Sequence, residues 1–127
     1  MYNKNLIGPL QDLILENQTD IVALAEAKKI DITSLINSLK TNGKEWNDIR
    51  ISTQNDIRVL ARKEKDIIPF KEEKHYSIYK IKKNSSVDCL LVVVHLLSKK
   101  SKSNEAQYNR ANHIARELNK YEQEIFE

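Results

Sequence analysis

Two residues of this chain stand where chemistry is done, Glu26 and His95. Each closes a strand-like run. Asp20-Ile21-Val22-Ala23-Leu24-Ala25-Glu26 delivers a carboxylate, and Asp88-Cys89-Leu90-Leu91-Val92-Val93-Val94-His95 delivers an imidazole. A continuous apolar run reads as a central strand covered on both faces. An ionisable group at its end then sits at the rim of the sheet, where open α/β sheets bind ligands. A carboxylate is a hard oxygen ligand suited to a cation such as magnesium. An imidazole works as general acid or base, or as a donor to phosphate. Taken singly, each has a plainer reading. Glu26 can cap a helix or pair with Lys28 or Lys29, and His95 can be a core-edge histidine bonded to a backbone carbonyl. Their complementary chemistry is what suggests a site.

Other polar groups follow His95. Ser98 is spaced to cap a loop or touch a phosphate, and such a serine is more often a plain turn residue. Lys99, Lys100 and Lys102 could attract a phosphodiester backbone or line a solvated loop. Arg58, Arg62, Lys63 and Lys65 form a second basic stretch, diluted by Asp56, Glu64 and Asp66. Arg110 and His113 fall on the last helical segment, where His113 reads as surface. Met1, Trp46 and Cys89 read as structural. The chain has no phosphate-binding glycine loop, no zinc spacing and no nucleophile elbow.

The elements that must position these groups follow from periodicity. Leu6, Ile7, Leu10, Leu13 and Ile14 predict a helix over 6–17, with Pro9 in its first turn. A strand follows over 21–25. Asp31 is placed to cap a helix with apolar face Ile32, Leu35, Ile36 and Leu39, and Gly43 to end it. Trp46 and Ile49 are expected beneath a loop. Strands are predicted over 57–61, 76–81 and 89–94, the second half-exposed and the last entered through the turn Asn84-Ser85-Ser86. These three are expected as an antiparallel meander. Ala111, Ile114, Ala115, Leu118 and Tyr121 mark a long final helix. The expected fold is α/β, a layered sandwich with a mixed sheet flanked by helices.

Composition sets outer limits. The 127 residues suit one domain, 1–127, and 40% hydrophobic with 31% charged residues fits a globular chain. The longest apolar run, 90–94, is far too short to span a bilayer, and the start lacks an apolar signal region. The single cysteine cannot form an internal disulfide, so the cytoplasm is the expected compartment. A net charge of +3 neither requires nor excludes a polyanionic partner. Two glycines are few for a complete enzyme domain with tight functional turns.

Together these residues resemble the endonuclease/exonuclease/phosphatase superfamily, the deoxyribonuclease-I-like fold. In that family a helix leads into a strand Asp-Ile-hydrophobic-x-Leu-x-Glu, to which Asp20 to Glu26 is similar. A later apolar strand ends in His-Leu-x-Ser and precedes a helix with an early arginine, as His95, Leu96, Ser98 and Arg110 do here. The resemblance implies that Glu26 binds a catalytic Mg2+ or Mn2+ ion and that His95 contacts or protonates the scissile phosphate. Ser98, Lys99 and Arg110 would be phosphate contacts. The implied substrates are nucleic acids or other phosphoesters, with no membrane partner.

The chain also departs from the family. A first strand ending in asparagine, the Gly-Asp-Phe-Asn strand and the Ser-Asp-His-type motif are absent from it. It therefore reads as an incomplete, N-terminal portion, about half of such a domain. The expectation is a fragment of a metal-dependent phosphoesterase or nuclease-like hydrolase, inactive alone. One sheet face would be uncovered, inviting a homo-oligomer or a completing partner chain. The alternative is a small nucleic-acid-binding or interaction module that keeps the half-fold without catalysis, binding through Lys99, Lys100, Lys102, Arg58 and Arg62.

Overall fold

The computed structural model describes residues 6–27, 30–41, 43, 45–51, 56–95 and 103–126. Its first helix, α1 (Ile7–Glu16), carries Pro9 in the opening turn, where a missing N–H costs nothing. Strand β1 (Ile21–Leu24) follows, then α2 (Ile32–Thr41). Asp31 caps α2 as expected, accepting from the Ser34 backbone N–H at 3.1 Å and from its hydroxyl at 2.8 Å. Gly43, at φ 81°, donates back to the Lys40 carbonyl at 2.9 Å and ends the helix.

Five strands and a helix complete the order: β2 (Trp46–Ile49), β3 (Arg58–Arg62), β4 (Ile67–Glu72), β5 (Tyr76–Lys83), β6 (Ser86–Val94) and α3 (Asn104–Phe126). Ser103 caps α3 through a 3.1 Å bond from the Ala106 N–H. The strands form two antiparallel three-stranded sheets, ordered β1-β3-β2 and β4-β5-β6. The layered α/β class is as expected, but among the described residues the strands form two antiparallel sheets rather than a single mixed one. The strand over 58–62 belongs to the first sheet, so the meander is β4-β5-β6 instead.

The layering can be read from alternation along the strands. On β3, Val59 and Ala61 face the second sheet while Leu60 faces the helices. One cluster, with Leu35, Leu39, Trp46 and Leu60 at its centre, joins α1 and α2 to the outer face of the first sheet. A second, with Ile57, Val59, Ile67 and Tyr79, fills the space between the sheets. A third, with Tyr76, Ile78 and Ile114, joins the second sheet to α3. There Phe70 meets Tyr121 edge-on, ring centroids 5.3 Å apart. The result is four layers: helices, sheet, sheet, helix. Neither sheet face is left open, contrary to the expected uncovered face; what stays unpaired among the described residues are strand edges.

Two exposure expectations reverse. The 76–81 segment is not half-exposed, because β5 is the central strand of its sheet and Tyr76 to Tyr79 are buried. The apolar run of β6 lies at an edge and is only partly buried, with Val94 and Cys89 exposed. Likewise β1 is an edge strand, not a central one. Trp46 and Ile49 sit in a strand, not beneath a loop.

Candidate functional site

Glu26 and His95 meet. Each lies just past the end of an edge strand, β1 in one sheet and β6 in the other, at the same end of the sandwich. His95 Nε2 stands 3.5 Å from Glu26 Oε1, an electrostatic contact longer than a good hydrogen bond. The Glu26 side chain is 79% exposed and that of His95 34%, so the carboxylate faces solvent while the imidazole is half-sheltered. A pair this exposed contributes under about 1 kcal/mol to stability. It is an open pair of groups, able to engage something from solvent.

The backbone holds both residues firmly. Glu26 adopts φ 55°, a left-handed conformation that costs a residue with a Cβ about 1 kcal/mol or more. It is fixed there because the next residue, buried Ala27, donates its N–H to the Asp56 carbonyl at 3.1 Å. His95 donates its N–H to the His75 carbonyl at 2.8 Å, continuing the β5–β6 ladder past the Tyr76–Val94 pair.

That bond brings in His75, which sequence reasoning missed. A signal existed. Asn84 and Ser85 both have positive φ, a two-residue hairpin turn of the type that suits the strand twist. Counting outward from that turn sets the start of β5 against the end of β6, and the register shift between Ile81 and Lys82, where β6 gains one residue, brings His75 beside His95 rather than Val94. Burial, then the nearby Arg110, Lys74 and His95, push the His75 imidazole below its ordinary value of 6.5, so it favours the neutral form. Arg110 reaches this cluster from α3.

The remaining expected site residues divide. Ser98, Lys99, Lys100 and Lys102 lie outside the described residues, as do Lys28 and Lys29. Arg58 pairs with Asp48, and Arg62 pairs with Asp20 at 3.3 Å and with Glu64 at 2.8 Å. Those two guanidinium groups spend their charge inside the first sheet and its margin.

A magnesium or manganese ion asks for six oxygen ligands in a near-octahedral set. Glu26 offers one carboxylate, and no group of three or more His, Cys, Asp or Glu side chains among the described residues could hold a metal. The described residues therefore do not by themselves make a site for the ion. Among them, too, no helix is long and apolar enough to cross a membrane. No family model, curated protein or solved structure matches the chain.

Proposed function

We propose that Glu26 and His95 are two corners of a phosphoester-hydrolysing site of the endonuclease/exonuclease/phosphatase kind. The observation that supports this is the 3.5 Å approach of two side chains sixty-nine positions apart, delivered by edge strands of different sheets. In this reading His95 donates to, or exchanges a proton with, a phosphate oxygen. Glu26 orients the imidazole and would supply one oxygen to a divalent cation, magnesium or manganese, that polarises the phosphate. The other groups such a site needs are not among the described residues. They would come from a flanking segment, a completing chain or a second copy, and this chain alone is inactive. The substrate is a nucleic acid or another phosphoester, met in the cytoplasm. Assay of the 127-residue chain with magnesium on a phosphodiester substrate checks this. No turnover is expected, and turnover abolished by Glu26→Ala overturns the inactive reading.

A binding module without catalysis is the less favoured reading. Two of the five cations it relies on, Arg58 and Arg62, are already ion-paired.

A further inference from the structure

A hollow of about 580 Å³ lies between the turn joining β4 to β5 and one face of α3. Lys74 and His75 line it from the turn, and Arg110 and His113, one helical turn apart, from α3. Two carboxylates, Glu73 and Glu117, also line it, but each has a lysine of its own. Glu73 Oε1 is 3.5 Å from Lys71 Nζ, and Glu117 Oε1 is 3.6 Å from Lys120 Nζ. Lys74 and Arg110 have no carboxylate partner among the described residues. Moreover, Arg110 Nη1 is buried and has no hydrogen-bond partner among them. An enclosed N–H left without an acceptor is costly, and since Arg110 also lines the hollow, an anion there would meet the same side chain.

We propose that this hollow is a binding site for a phosphate group, seated by Arg110 and Lys74 with the two imidazoles completing its donor shell. A carboxylate offers two oxygens on one side. A phosphate offers three or four in a tetrahedron and can use donors converging from a turn and a helix together. The site adjoins the Glu26–His95 pair through the 2.8 Å bond between the His75 carbonyl and the His95 N–H. It would therefore hold a phosphate beside the one at His95, which makes the substrate class an ester with more than one phosphate. In that last step the assignment rests on the function proposed above; the phosphate site itself does not.

Calorimetric titration of the intact chain with inorganic phosphate, and separately with a short single-stranded oligonucleotide, tests it. Saturable phosphate binding is expected. Arg110→Gln should weaken it about tenfold, as loss of a charge-assisted bond does. Lys74→Gln, at an exposed position, should weaken it by a smaller factor, and it serves should Arg110→Gln fail to fold. The turnover assay described above reads Glu26 and His95, whereas the phosphate titration reads Arg110 and Lys74, so the two proposals fail separately. Competition between oligonucleotide and phosphate would assign the group to a nucleic-acid strand; phosphate binding without it would assign a small ester. No saturable phosphate binding, or binding indifferent to both Lys74→Gln and Arg110→Gln in folded protein, overturns the site.

Discussion

Glu26 combines exposure with backbone strain. Its φ of 55° is easy only for glycine. Glu26→Gly is therefore expected to stabilise the fold by about 0.5–1 kcal/mol, the relief partly offset by a freer unfolded chain. Glu26→Ala should give no such gain. Urea midpoints of the two variants decide it, and a glycine variant less stable than the alanine one would show that no strain is stored there. His75 gives a pH dependence with a definite sign. Its folded-state value lies below 6.5, so just below pH 6.5 the unfolded chain binds more protons than the folded one. Stability is thus full above that range and falls as pH drops towards the folded value. Melting temperatures between pH 7.5 and 5 should decline, and His75→Gln should flatten that decline. The groups facing His75, Lys74, Arg110 and His95, all push the same way.

At the scale of elements, the helices were legible because local chemistry decides them. Asp31, Gly43 and Pro9 each do what their side chains or backbones dictate. Asp31→Ala should cost about 1 kcal/mol through the lost cap, measured by denaturant unfolding. The strands were legible where faces matter and illegible where edges do. Leu90 and Val92 pack towards α3 while Leu91 and Val93 pack between the sheets, so β6 has cover on both faces. Hydrophobic content reports that cover. It says nothing of whether a strand lies alongside, which is why β1 and β6 read as central and proved to be edges. The missed strands have local causes. Strand β4 carries Pro69 at a register shift, a feature confined to edges and bulges. In β2, Asn47 and Asp48 separate the two buried residues Trp46 and Ile49.

For the whole molecule, the two sheets and three helices share three clusters that meet on common strands. Leu60 on β3 faces the helices while its neighbours Val59 and Ala61 face the second sheet. A cavity at Leu60 should therefore be felt across the layers. Leu60→Ala is expected to cost about 2–5 kcal/mol, a large share of a domain's total. A single coincident transition by far-ultraviolet and tryptophan signals would show the layers melting together. The juxtaposition of Glu26 and His95 was legible as two strand ends, but the meeting itself was not. It depends on how one sheet stacks on the other, which no local pattern encodes.

The hairpin at Asn84 and Ser85 has a consequence for how this end of the molecule can change. It lies about ten residues from His75 and from His95, roughly 30 Å along either strand. Nevertheless it acts as a ruler for both. One residue inserted there would slide β6 against β5 by a step and turn its side chains to the opposite face. Leu91 and Val93 would leave the space between the sheets, and His95 would lose its place opposite His75. Tolerance to length changes should thus be low at a surface turn far from any candidate ligand, because the spacing of the two histidines is measured out from it through the register shift between Ile81 and Lys82.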